Sequence, residues 1–326
     1  MKRSVRFLAA ALAAVMLLLP VGCAREDAPE QTPTVRVAAM KGPTGMGMAK
    51  LMSDENGKGR YDFTIAGSAD EITPRLARGE IDIAAVPVNL AAVLYHNTNG
   101  EIEMLAINTL GVVYLVEAGD GITDVSDLRG KTVYATGKGS VPEYALRHIL
   151  EKNGLDPDSD LTIEWKSQPD EVVALLVADG GIAMLPQPYV TAALGKVPGL
   201  RIAVDLTAAW AAVEPDSALC TGALVVRRSF AEENPALVAS FLDAYGASVA
   251  FVNEKPAEAA LLIESCGIAA AAVAEKAIPY CNIVSVTGSA MRPLAEGFLR
   301  VVFAQNPAAV GGEMPGEDFY YDIAKP

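Results

Sequence analysis

Apolar runs and amphipathic segments follow the same succession twice along the chain. In the first stretch, TVRVAAM (34–40) predicts a strand that enters a glycine-rich loop and then a helix near 45–53. The strand YDFTIA (61–66) comes next, then GSADEITPRLARGE, then the strand IDIAAVP (81–87). In the second stretch, KTVYAT (131–136) enters GKGS (137–140) and the helix PEYALRHILEKNG. LTIEW (161–165), KSQPDEVVALLVADGG and IAMLP (182–186) follow in the same order. Asp70-Glu71 of the first stretch corresponds to Asp170-Glu171 of the second. Ser68 with Glu71 spells a capping box, and Pro169 soon after Ser167 marks a first helical turn. Both helices stop at a glycine, Gly79 and Gly180. Such alternation predicts an α/β protein with two small, mainly parallel sheets flanked by helices.

The grammar changes after residue 222. GALVVRR (222–228) predicts one strand, and NPALVASFLDAYGASVAFVN predicts an amphipathic helix. Its apolar face carries Val238, Phe241, Leu242, Tyr245, Val249 and Val252. More helices are expected near 256–265, 270–278 and 289–304. One strand followed by helices makes no third sheet, so this segment is expected to return to the first lobe and complete it.

The first 23 residues read as an address. Lys2, Arg3 and Arg6 precede the apolar stretch FLAAALAAVMLLL (7–19), which has the length of a signal-peptide core and is too short to span a bilayer. Gly22 before the lone Cys23 resembles a bacterial lipoprotein processing site, although Pro20 stands where that site usually has Leu. Residues 1–23 are therefore read as a leader ending at the lipidated Cys23. AREDAPEQTP (24–33) is read as a polar, flexible tether.

Composition narrows the function. The chain has 326 residues, 51% of them apolar and 20% charged, enough to bury two domain cores. A net charge of −14 repels phosphate backbones and argues against a nucleic-acid partner. Two histidines and four scattered cysteines show no metal-ligand spacing, so neither metal nor cofactor is implied. His96 suits a helix end and His148 a helix face, both as packing residues. Cys266 and Cys281 flank the helix expected at 270–278. That helix would span about 12–13 Å, whereas bridged Cα atoms must approach within roughly 7 Å, so a disulfide between them is not expected. The glycine loop KGPTGMG (41–47) fits neither nucleotide pattern: Met48 and Ala49 replace the Lys-Ser/Thr of a P-loop, and the spacing G-x-x-G-x-G reverses the dinucleotide motif.

Taken in order, GPTGMG, GEIDIAAVPVN, DLRGKTVYATGKGS, DLTAAW with TGALVVR, and GGEMPGEDFYY resemble the solute-binding lipoproteins of ABC importers. The group is the one related to nitrate-, sulfonate-, taurine- and thiamine-precursor-binding proteins, and the resemblance covers about residues 34–321. It implies a type II periplasmic-binding-protein fold of two lobes. Lobe one would be 34–118 plus 222–326 and lobe two 119–221, with crossings near 117–122 and 217–223 forming a hinge. It also implies a monomer that captures a small anionic or heterocyclic solute for a membrane permease. Location would be extracytoplasmic, lipid-anchored on the outer face of the cytoplasmic membrane or the periplasmic side of an envelope membrane. A solute sensor for a membrane signalling partner is the alternative. The same family includes a pyrimidine synthase with a lysine-bound pyridoxal cofactor, but its cysteine-rich motif has no counterpart here, so no enzyme activity is expected.

In parallel α/β sheets ligands sit at the carboxyl ends of strands. The candidate contacts are accordingly Lys41, Thr44, Gly45, Met46, Ser68 and Asn89 from lobe one, with Gly137, Lys138, Ser140, Gln187 and Trp210 from lobe two. The glycines of 42–47 and of TGKGS (136–140) are expected to bring backbone N–H groups and two helix N-termini to an acceptor-rich ligand. Replacing Cys23 by Ser should release a folded protein from the membrane fraction, because several acyl chains anchor stably and one only marginally. Wild-type protein found free in the medium with a trimmed N-terminus would refute the anchor.

Overall fold

Residues 33–322 are described by the computed structural model; the leader, Cys23 and the tether through residue 32 lie outside them. Two mixed sheets organise the chain. In the first, β1 (Val35–Met40) lies between β2 (Tyr61–Ala66) and β3 (Ile83–Pro87), all parallel. In the second, β6 (Thr132–Thr136) lies in the same way between β7 (Thr162–Lys166) and β8 (Gly181–Pro186). The doubled pattern of the sequence is this doubled β-α-β-α-β unit.

Each sheet is completed by strands on either side of a crossing. β4 (Ile102–Thr109) stays in sheet one, whereas β5 (Val113–Ala118) pairs antiparallel with β8 and β9 (Leu200–Asp205) of sheet two. β10 (Gly222–Arg227) returns and inserts antiparallel between β3 and β4. The orders are β2-β1-β3-β10-β4-β11 and β7-β6-β8-β5-β9, where β11 is Ile283–Val286. In both sheets the antiparallel fourth strand is therefore the one that has just crossed.

This topology moves the first crossing. The sequence reading put it near 117–122, but the change of sheet occurs at Leu110–Val112, between β4 and β5. The glycines at 119 and 121 belong to a turn inside sheet two. Glu117 holds that turn, accepting the N–H groups of Gly121 and Ile122 at 3.1 and 3.0 Å and an Arg201 guanidinium bond at 2.6 Å. The second crossing ends at β10, inside the expected 217–223.

The helix Pro235–Glu254 buries Val238, Phe241, Leu242, Tyr245, Val249 and Val252, the face expected from its period. They join a core on one side of sheet one with Leu224 and Val226 of β10. A second apolar cluster is continuous from sheet one (Ala84, Val225) through Leu219, Trp210 and Phe298 to sheet two (Val133, Met184). The lobes thus share this cluster across the crossings, while each also keeps an apolar cluster of its own. Cys266 and Cys281 are free thiols, with the helix Ala271–Ala277 between them as the reach argument requires.

Asp82, 1% exposed, fastens the centre of sheet one. Its carboxylate accepts the Arg36 backbone N–H at 2.9 Å, the Arg36 Nε at 2.8 Å and the Arg227 Nη2 at 3.0 Å, joining β1, β3 and β10. Burial pushes the Asp82 carboxyl up, but the Arg36 side-chain and backbone bonds and the Arg227 bond outweigh it and hold it below its ordinary value. Its stabilising effect is therefore complete above the unfolded carboxyl value of about 3.9 and is lost as pH falls through the folded one. Asp82→Ala should cost about 3 kcal/mol at pH 7, because two guanidinium groups lose their buried partner. Urea unfolding at pH 7 and pH 3 checks this; a cost as large at pH 3 as at pH 7 would refute it.

Candidate functional site

The carboxyl ends of β1, β3, β6 and β8 face the crossings, and that is where the loops converge. On the sheet-one side, Thr44 offers its carbonyl to the amide of Asn108 at 3.3 Å, one residue before the end of β4. A Cβ on Gly222 would come within 2.8 Å of Thr44 Cγ2, so Gly222 lets the returning crossing pass beside this loop. Val88, next to Asn89, donates its N–H to the Thr221 carbonyl at 3.3 Å. From the sheet-two side, Gln187 donates its backbone N–H to the Val112 carbonyl at 2.8 Å. Thr44 and Gln187 thus lie beside residues 108–112 and 222, the floor where the lobes meet, whereas the Asn89 amide donates to the Ala309 carbonyl at 3.1 Å.

Gly137 and Ser140 stand above β6. Gly137 has φ 85°, and a Cβ there would meet Pro142 Cγ at 2.8 Å, so the loop needs glycine. Its carbonyl accepts the Ser140 hydroxyl at 2.7 Å as the helix Val141–Lys152 begins. Glu143 takes the Gly139 N–H at 2.6 Å. A carboxylate therefore already occupies the electropositive end that the sequence reading gave to an anion. Lys41 and Lys138 are exposed and form no ion pair among the described residues.

The glycine loop of lobe one answers differently from its sequence. Gly45 and Met46 direct their N–H groups to the Gly42 carbonyl, both at 3.0 Å, closing a one-turn helix Pro43–Met46. A Cβ on Gly45 would lie 2.4 Å from the Met40 carbonyl oxygen. One on Gly47 would lie 2.9 Å from both Ile283 Cγ2 and Tyr245 Oη. These glycines admit neighbouring chain and side chains, not a ligand. Met46 has no exposed surface, and its sulfur lies 4.0 Å from Cys281 Sγ, so it is core.

Two further candidates lie away from the floor. Ser68 follows β2 at the sheet edge and caps the helix Ala69–Ala77, with Glu71 accepting its N–H at 3.2 Å. Trp210 is fully buried: its indole N–H donates to Ser217 Oγ at 3.0 Å, and its ring lies between His148 and Phe298 at 5.1 and 5.4 Å. It packs the hinge. His148 in turn meets Glu214 at 2.8 Å, which Lys152 also pairs at 3.0 Å. Burial pushes the Glu214 carboxyl up, and the Lys152 and His148 bonds outweigh it and leave it lowered.

Sequence reasoning missed the contacts that close the lobes on each other. Tyr114 of β5 donates its hydroxyl to the Tyr280 carbonyl at 2.8 Å, with the rings edge to face. Asn282 bonds the Gly111 carbonyl at 2.6 Å, and Gln305 bonds the Tyr144 carbonyl at 2.9 Å. None has a local signal, because each joins residues more than 150 positions apart. The thiols of Cys220 and Cys281 are pushed up to about 12 by burial and stay protonated.

The NMT1/THI5 like family model matches residues 102–259. Those residues are NMT1/THI5-like. The segment includes both crossings and all of β5 to β10. An ABC transporter structure from Parabacteroides distasonis is similar at 25% identity with a TM-score of 0.74, covering 89% of this chain and 99% of that one. The periplasmic aliphatic sulphonate-binding protein SsuA from Escherichia coli aligns at 19% identity and TM-score 0.69, covering 89% and 92%. The alkanesulfonate-binding SsuA of Xanthomonas axonopodis pv. citri, bound to MOPS, aligns at 17% and 0.61, covering 87% and 94%. No match was found among curated protein sequences. The chain has the two-lobed α/β fold of these periplasmic binding proteins.

Gly45→Ala should lower stability by about 1–3 kcal/mol through overpacking against the Met40 carbonyl. That is roughly 2–4 °C of Tm per kcal/mol, with solute affinity nearly unchanged. Parallel melting and titration check it; lost affinity at an unchanged Tm would return the loop to ligand binding.

Proposed function

We propose that the chain is the extracytoplasmic solute-binding protein of an ABC importer, which takes a small anionic or heterocyclic solute between its lobes and delivers it to a permease. The observation that carries the reading is the exchanged pair of crossing strands, β5 and β10, within a fold shared with importer binding proteins. Each sheet ends its strands at the same floor, so each lobe offers half a site. Thr44 and Lys41 face it from one side, with Gln187, Ser140 and Lys138 from the other. Lipidation at Cys23 would hold the protein, acting as a monomer, at the membrane beside its permease.

Capture works by changing the balance between open and closed lobes. Opening breaks the Tyr114–Tyr280 bond and its ring contact while Trp210 and its neighbours remain as an apolar pivot. A solute touching both lobes favours closure by its extra affinity for the closed form. Moving from 1% to 99% closed takes roughly 5.5 kcal/mol of that difference.

A melting screen of sulfonates, nitrate and small pyrimidines tests the function. A true solute at about 100 times its Kd adds about 2.7 kcal/mol, which raises Tm by roughly 5–10 °C. Small-angle scattering at saturation should show a smaller radius of gyration. An unchanged radius with a bound solute would reject the closing hinge.

A further inference from the structure

We infer, resting on the solute-binding reading above, that Asn282 is a positioning residue for capture: it fixes the first crossing so that the lobes turn about Val112. Asn282 is a non-glycine residue in the left-handed region, φ 43°, just before β11. A side chain stays in that region only where its surroundings hold it there. Here the turn aims two groups at consecutive residues of the crossing. The Asn282 carbonyl accepts the Leu110 N–H at 3.0 Å, and its Nδ2 donates to the Gly111 carbonyl at 2.6 Å. The amide cannot be reversed, because a carbonyl only accepts.

These bonds divide the crossing between the lobes. Thr221 is tied to lobe one, its carbonyl accepting the Val88 N–H at 3.3 Å. It donates its own N–H to the Thr109 carbonyl at 3.0 Å and its hydroxyl to the Leu110 carbonyl at 2.5 Å. The carbonyls of Thr109, Leu110 and Gly111 are therefore all held from lobe one. The next carbonyl, that of Val112, is held from lobe two by the Gln187 N–H at 2.8 Å. Peptide planes are rigid, so the only soft torsions between the two grips are φ and ψ of Val112. The second crossing has matching slack. Ala218, Leu219 and Cys220 lie between Ser217, whose hydroxyl takes the Trp210 indole N–H at 3.0 Å, and Thr221.

Asn282→Gly keeps the left-handed backbone and removes only the side-chain bond. The plane before Val112 is then released, and the bend spreads to Gly111. Open arrangements multiply while the closed one stays single, so the open-to-closed ratio should rise about fivefold. Nitroxide labels at Lys58→Cys in lobe one and Lys196→Cys in lobe two, both exposed positions, read the interlobe distances without any solute. Cys266→Ser removes the half-buried native thiol from labelling. Asn282→Gly should widen the distances and shift them longer, and Asn282→Asp should match it, because a carboxylate has no N–H to donate. Thr221→Val, which loses the hydroxyl bond to Leu110, should do the same. A purely structural role would lower Tm and leave the distances alone. Distances in Asn282→Gly and Thr221→Val that coincide with wild type overturn the inference. Ethanesulfonate, nitrate and 4-amino-2-methylpyrimidine added to wild type test the solute-binding reading separately. A shorter distance with any of them supports that reading, and no shortening counts against it alone, since the joint is decided on the free protein.

Discussion

Thr221 donates its backbone N–H to the Thr109 carbonyl and its hydroxyl to that of Leu110, and so ties the outgoing and returning crossings side by side. Asn282 reinforces the same point through its bonds with Leu110 and Gly111. Both sheets take their antiparallel fourth strand from this junction, so the register of each half is set by the other. The apolar cluster around Trp210 and Phe298 lies beside the junction and keeps it dry. A polar ladder flanked by a packed pivot bends more readily than it slides, which is the mechanical property a closing cleft needs.

Much of the fold could be read because its units are local. Each β-α-β-α-β half is written in consecutive residues with clear periodicity and glycine stops. The crossings were not legible for the opposite reason. Residues 102–118 are mostly apolar and buried, and no turn signal stronger than a single glycine separates β4 from β5. The resemblance put the boundary near 117–122, while the real change of sheet is at Leu110–Val112. Gly111 is the signal that was there to find. A Cβ on it would lie 2.1 Å from Thr207 Oγ1, so the crossing chain needs glycine to pass this side chain.

The candidate site was legible as a set of loops and not as a set of contacts. Glycine announces close approach without saying what approaches. At Gly45 it is the chain's own Met40 carbonyl, and at Gly47 it is Tyr245 and Ile283, nearly 200 or more residues away in sequence. Met46 and Trp210 were named for chemical suitability, but burial decides their role. The Ser68 hydroxyl is engaged in a capping box, and the Ser140 hydroxyl is engaged by the Gly137 carbonyl. Gln187 was named for its place after a strand, and the structure adds that Thr191 holds its oxygen.

The exchanged strands also set an order of assembly. All the strands of sheet two lie between residues 113 and 205, one uninterrupted piece of chain. Sheet one cannot close until β10 arrives at residue 222, because that strand fills the space between β3 and β4. A chain that emerges from its N-terminus therefore presents a complete second sheet while the first still has two unpaired inner edges. Synthesis in that order favours the later half folding first, and the unfinished earlier half is the part most exposed to a chaperone or a protease.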